Sequence, residues 1–126
     1  SVLGVFSASE NQVSNYGVIS SKNIDGIEKV DGIVEKPKPA DAPSNLAVFG
    51  RYILSKDIFL NIEQTKPGLN NEIQLTDAIQ DLISNQDVFA LEFEGRRFDC
   101  GSKEGYISAI IDRASSIDKY KSIIEK

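Results

Sequence analysis

Three prolines, Pro37, Pro39 and Pro43, stand in one short stretch between two apolar runs, and they constrain the fold more than any other feature of the chain. Each ring fixes φ and removes a backbone donor, and the residue before each is pushed out of helical space. Residues 37–43 therefore cannot be helix, and the runs they separate read as strands. The first, residues 27–34, is broken at Asp31-Gly32 by a candidate β-bulge. The second, residues 46–54, is almost continuously apolar and should be a central strand.

The rest of the chain alternates between the two periodicities. Residues 2–6 form a short apolar run, as a strand buried on both faces would. Residues 10–15 are polar and read as a loop over a site, and Ile24-Asp25-Gly26 is a turn. Ser55 is placed to cap a helix carrying Ile58, Phe59 and Ile62, which Lys66-Pro67-Gly68 stops. Leu75, Ile79, Leu82 and Ile83 mark the apolar face of a second helix, capped by Thr76 or a near neighbour. Residues 88–94 alternate, with Phe89, Leu91 and Phe93 on one face of a strand. Ser102 caps a third helix whose buried stripe is Tyr106, Ile107, Ile110, Ile111 and Ala114. A tail helix after Asp118 packs through Tyr120, Ile123 and Ile124. Strands alternating with helices predict an α/β fold with a mixed sheet and flanking helices, in a single domain over residues 1–126.

Composition narrows the function. With 126 residues, 40% apolar and 26% charged, the chain has the make-up of one globular domain. A net charge of −5 argues against a general nucleic-acid binder, although local cations can still bind an anionic substrate. No run is long enough for a membrane span and no signal-peptide pattern opens the chain. The single Cys100 excludes an internal disulfide and fits a reducing cytoplasm. The absence of histidine excludes imidazole acid–base chemistry and, with one cysteine, a structural zinc site.

Glu35 and Lys36 end the first apolar run just before the proline turn. Asn15-Tyr16-Gly17-Val18 lies upstream, and a strand-like run closes on Phe98-Asp99-Cys100-Gly101 downstream. An acceptor, a cation, a glycine-opened backbone and a lone acid at a strand end are what a phosphorylated sugar and its metal ion require. Consecutive side chains on a strand face opposite ways, so Glu35 and Lys36 share one crevice only if the strand ends there. Plainer readings stand beside these. The Glu35–Lys36 pair can be a surface ion pair of little energy. Gly17 can be ordinary turn chemistry, Val48 simple core, and Asp99 an N-cap for the helix at Ser102.

Five strings, in order, resemble the bacterial glucose-1-phosphate uridylyltransferases, or UDP-glucose pyrophosphorylases. They are Val34-Glu35-Lys36-Pro37-Lys38-Pro39, Ala42-Pro43-Ser44-Asn45-Leu46-Ala47, Gly50-Arg51-Tyr52, Glu72-Ile73-Gln74-Leu75-Thr76-Asp77-Ala78 and Phe98-Asp99-Cys100-Gly101-Ser102-Lys103. The resemblance runs from about Ser14 to Tyr106. It implies the C-terminal, sugar-phosphate-binding portion of a Rossmann-like sugar nucleotidyltransferase domain, converting UTP and glucose 1-phosphate to UDP-glucose and pyrophosphate. By resemblance, Glu35 accepts from glucose hydroxyls, Lys36 contacts the phosphate and offsets charge in the reaction, Gly17 lays its backbone against the sugar and Asp99 holds Mg²⁺; by its position in the strand after Asn45, Val48 would line the same pocket or be simple core. It also implies a cytoplasmic homo-oligomer without nucleic-acid or membrane partners.

Departures accompany the likeness. The glycine-rich, Arg- and Lys-bearing triphosphate loop of such enzymes is not found in the chain, nor is the acid they place in their first half as a metal ligand. These residues alone are therefore expected to be inactive. Asn70-Asn71 replaces the usual glycines, a turn that asparagine can keep because it tolerates left-handed backbone. Cys100 is expected to be a packed small residue, and Glu72 and Asp77 a loop acid and a helix-start acid. Three alternatives remain: a sister nucleotidyltransferase of other specificity, a non-catalytic sugar-phosphate-binding remnant, or a structural module for subunit contacts.

Overall fold

The computed structural model describes residues 1–68 and 71–124. They fall into two compact units, residues 1–93 and a second beginning at Glu94.

The first unit is built on five strands, β1 (Val2–Ser7), β2 (Gly17–Ile24), β3 (Ile27–Glu35), β4 (Leu46–Ile53) and β5 (Val88–Glu92). They close into a barrel in the order β1-β4-β2-β3-β5. β1 and β5 run parallel and the other neighbours antiparallel, so the sheet is mixed, as the alternation of elements predicts. Two helices flank it, α1 (Ile58–Gln64) and α2 (Leu75–Asn85).

The apolar runs explain the core. Leu3 and Val5 of β1, Ile19 of β2, Val30 and Ile33 of β3, Val48 of β4 and Val88 of β5 meet Ile58, Ala78, Ile79 and Leu82 from the helices. A smaller cluster of Ala8, Val13, Val18 and Ala47 sits under Phe6, Tyr16 and Ala42. β1 is buried on one face only. Its other face is half-covered, and at Gly4 a Cβ would lie 2.9 Å from the Phe49 ring, so only glycine lets that ring cross the strand. β4 lies between β1 and β2, as every strand of a closed barrel lies between two others, and its continuous apolarity is not matched by burial: only Ala47 and Val48 are buried.

The bulge at Asp31-Gly32 is present. Ser20 pairs with Gly32 and Ser21 with Val30, leaving Asp31 as the extra residue. The turn at Asp25-Gly26 is present too, with both residues at positive φ. β2 carries no strand signal in the sequence, because Ser20, Ser21, Lys22 and Asn23 interrupt its apolar residues; pairing with β3 along its whole length makes it a strand. The proline stretch is loop apart from one 3₁₀ turn, Pro39–Asp41, which a ring at its first position tolerates. Residues 10–15 likewise end in a 3₁₀ turn, Val13–Asn15.

Several local expectations are corrected. Ser55 does not cap α1: its hydroxyl accepts from Gln86 Nε2 at 2.8 Å, and the helix starts after Asp57 without a side-chain cap. α2 is preceded by Gln74, also without a side-chain cap, and its buried face is Thr76, Ala78, Ile79 and Leu82, while Leu75 is exposed. On β5 the buried face is Val88 and Ala90. Leu91 and Phe93 point outward, Phe93 resting on Phe49 with ring centroids 5.2 Å apart. Asn71 adopts φ +61°, the left-handed backbone that asparagine tolerates, and its neighbour Asn70 lies outside the described residues.

The second unit contains α3 (Lys103–Ser115) and α4 (Asp118–Ile124), which pack together. Ser102 caps α3 as its position predicts, its hydroxyl accepting from the Gly105 amide at 3.0 Å. Gly105 is required there, since a Cβ would strike the Asp99 carbonyl oxygen. The anticipated buried stripe is not buried within this unit: Tyr106, Ile107, Ile110 and Ile111 are each about half exposed, and Tyr120, Ile123 and Ile124 of α4 are exposed too. Cys100 is an exposed free thiol rather than a packed residue. Among the described residues no helix is long and apolar enough to cross a membrane.

Candidate functional site

β3 delivers Glu35 as its last residue, and the chain then turns sharply. Lys36 adopts φ +45°, a left-handed conformation that costs a non-glycine residue roughly 1–2 kcal/mol. Its amide is fixed by the Tyr16 carbonyl at 3.0 Å. That turn breaks the strand alternation that would have sent consecutive side chains to opposite faces. Lys36 Nζ consequently reaches Glu35 Oε1 at 3.2 Å.

Gly17 pairs with Glu35 across β2 and β3. A Cβ at Gly17 would lie 3.1 Å from Val48 Cγ2, 3.3 Å from Glu35 Oε2 and 3.5 Å from Ile33 Cδ1. The glycine, the carboxylate and the valine therefore converge on one spot, with the lysine beside them. Gly17, Glu35, Lys36 and Val48, chosen from the sequence, are brought together. Val48 is core, as its plainer reading expects: it is buried in the main apolar cluster, with Cγ2 turned toward Gly17.

One further residue holds Glu35, and the Glu35 charge reaches another. Thr76, at the start of α2, donates through Oγ1 to Glu35 Oε2 at 2.7 Å. Burial raises the Tyr52 phenol above the ordinary tyrosine range, and the Glu35 charge adds to that, while a main-chain hydrogen bond at Gly50 opposes it. Both residues lie inside strings that carry the family likeness, Gly50-Arg51-Tyr52 and the one containing Leu75-Thr76-Asp77. The signal was present, but nothing in the sequence aims a threonine hydroxyl from one helix at a carboxylate 41 residues away.

Asp99 belongs to the second unit. Its Oδ1 accepts from the Gly101 amide at 3.0 Å, and its carbonyl oxygen accepts from Ser102 Oγ at 3.1 Å, so it organises the entry to α3. Among the described residues no group of three or more His, Cys, Asp or Glu could enclose a metal ion. A lone carboxylate suits a cation that takes one or two protein oxygens and fills its remaining positions with water and phosphate.

The arrangement sets beside one glycine a carboxylate held by a threonine hydroxyl, able to accept from hydroxyls, and an ion-paired ammonium able to meet an anion. Comparison with known proteins places the chain in a family. A UTP–glucose-1-phosphate uridylyltransferase of Pseudomonas aeruginosa is 51% identical over 110 residues, which are 86% of this chain and 39% of that protein. UTP–glucose-1-phosphate uridylyltransferase 2 of Streptococcus pyogenes is 47% identical over 114 residues, 89% of this chain and 38% of that protein. Among solved structures, a UDP-glucose pyrophosphorylase complexed with UDP-glucose superposes with a TM-score of 0.86 at 44% identity, covering 92% of this chain and 44% of that one. The chain thus spans about two fifths of the length of the curated relatives it matches. The likeness to uridylyltransferases carried by the five strings is borne out at the level of whole-segment identity and fold. The profile of the nucleotidyl transferase family matches residues 2–116, and the chain belongs to that family.

Proposed function

We propose that the protein containing these residues transfers a uridylyl group from UTP to glucose 1-phosphate, giving UDP-glucose and pyrophosphate. The observation that carries this reading is the convergence of Gly17, Glu35, Lys36 and Val48 at the end of β3, in a chain 51% identical to a uridylyltransferase. Residues 1–126 are assigned the sugar-phosphate-binding portion of the domain. Glu35 accepts from sugar hydroxyls, the Gly17 backbone lies against the sugar, and Val48 closes the pocket wall.

Lys36 leaves Glu35 for the sugar phosphate and offsets charge where that phosphate meets the nucleotide. The attacking oxygen belongs to an already ionised phosphate, so the absence of histidine is no obstacle. A divalent cation, with Mg²⁺ the natural choice, would supply charge neutralisation on the triphosphate, and Asp99 would contribute one ligand to it. A cytoplasmic location goes with this reading.

The test is pyrophosphate release by the full-length protein from glucose 1-phosphate with UTP, dTTP, CTP and ATP offered separately. The expected result is turnover with UTP at least a hundredfold more efficient than with the others. Preference for another nucleotide transfers the assignment to a sister enzyme, and binding of glucose 1-phosphate without turnover points to a remnant.

A further inference from the structure

β5 pairs with β3 only at Glu28, Lys29 and Val30. Among the described residues, that side of β3 has no strand neighbour beyond Val30, and α2 packs against the strand. Gln80 Oε1 accepts from the Ile33 amide at 2.8 Å, and Thr76 Oγ1 donates to Glu35 Oε2 at 2.7 Å. The spacing makes the pairing natural. Four helical residues advance about 6 Å and two strand residues about 6.8 Å, so a helix running opposite to the strand meets alternate strand residues once per turn. Thr76 and Gln80 form a two-point latch that ends on the site carboxylate.

Thr76 is the one buried polar or charged residue among those described, with 8% exposure. Its hydroxyl has a single proton to donate, and Glu35 receives it. The two carboxylate oxygens are thereby distinguished: Oε2 is held by α2, and Oε1 faces Lys36 at 3.2 Å. A ligand that draws Lys36 to its phosphate uncovers Oε1 while Oε2 stays anchored.

We propose that Thr76 is a positioning residue for sugar recognition, holding Glu35 through Oε2 so that Oε1 is presented to a sugar hydroxyl once Lys36 turns to the phosphate. This rests on the sugar-phosphate reading of the site. Without the threonine, Lys36 would leave a carboxylate free to rotate, and ordering it would weaken ligand binding. A threonine that merely packed α2 would affect stability and leave the affinity for one substrate untouched.

The experiment uses the full-length protein, with steady-state kinetics and calorimetric binding of glucose 1-phosphate. Thr76→Val, close to isosteric, is expected to raise the KM for glucose 1-phosphate roughly tenfold, the low end for losing a hydrogen bond to a charged group. The KM for UTP and kcat should stay within about twofold, and Thr76→Ser should restore sugar affinity. On a Glu35→Ala background the valine should change sugar KM less than about twofold, because the partner is gone. Unchanged sugar KM in Thr76→Val, or full additivity with Glu35→Ala, overturns the inference alone. A wild-type protein that neither binds nor turns over glucose 1-phosphate overturns the functional reading with it. If Thr76→Val does not fold, Thr76→Ser and Thr76→Ala decide: both lose the methyl and differ only in the hydroxyl, so equal sugar KM values refute the proposal.

Discussion

Lys36 combines a strained backbone with a charge, and the two can be separated by mutation. Lys36→Ala removes the ammonium and keeps a side chain at φ +45°, whereas Lys36→Gly removes the ammonium and relieves the conformation. If the charge is what the reaction uses, both variants should lose kcat in the full-length enzyme by about a hundredfold or more. The glycine variant should nonetheless be the more stable of the two by about 1 kcal/mol in denaturant melts. Glu35→Ala should instead act mainly on the KM for glucose 1-phosphate, because hydroxyl contacts exist already in the ground state. Rates that follow stability across the three variants would reduce the pair to a surface ion bridge. At this scale the sequence was informative about identity and silent about orientation. The Glu-Lys-Pro string marked the candidate site, but the left-handed turn that lets adjacent side chains meet, and the threonine that anchors one of them, appear only in the folded chain.

Among the elements, the strand bulge offers a separate test because it is electrostatically tuned. The Ser20 hydroxyl holds the Asp31 carboxyl below its ordinary range, against the opposition of desolvation and with smaller help from Lys22. A carboxylate depressed in the folded state stabilises the fold above its ordinary pKa, and that contribution is lost as pH falls through the lowered value. Ser20→Ala should therefore move the Asp31 titration upward, seen by carboxyl-carbon NMR, and shift acid unfolding to slightly higher pH. An unmoved Asp31 titration would mean that the hydroxyl is incidental to the bulge. The bulge itself was legible, because an Asp-Gly pair breaks the apolar alternation in the middle of a run of strand length. Helix and strand types were legible from periodicity as well, but faces were not. β5 buries Val88 and Ala90 and exposes Leu91 and Phe93, the reverse of what side-chain size suggests. Alternation defines two faces without saying which one the barrel occupies. β2 was invisible for the opposite reason: its pairing with β3, not its composition, makes it a strand.

At the scale of the whole chain, apolar surface is left over. In the first unit Ile53 is 75% exposed, Leu91 69% and Phe59 68%, and in the second Ile123 is 69% exposed and Ile107 55%. Scattered apolar residues are ordinary on a protein surface, but these belong to runs whose periodicity matches buried faces. In the longer relatives, additional chain is available to cover such faces; in a sample of these residues alone, the available cover is another copy. We therefore expect the isolated chain to self-associate at micromolar concentration and to release no pyrophosphate from UTP and glucose 1-phosphate. The second expectation follows because preorganised charges act as a unit, and no glycine-rich triphosphate loop is found in these 126 residues. Light scattering coupled to gel filtration checks the first. A sharp species at the mass of one chain, unfolding cooperatively, would mean that each unit tolerates its exposed face and that the periodic stripes are not interfaces. Ordinary turnover by the same sample would mean that the nucleotide is held by groups other than a glycine-rich loop.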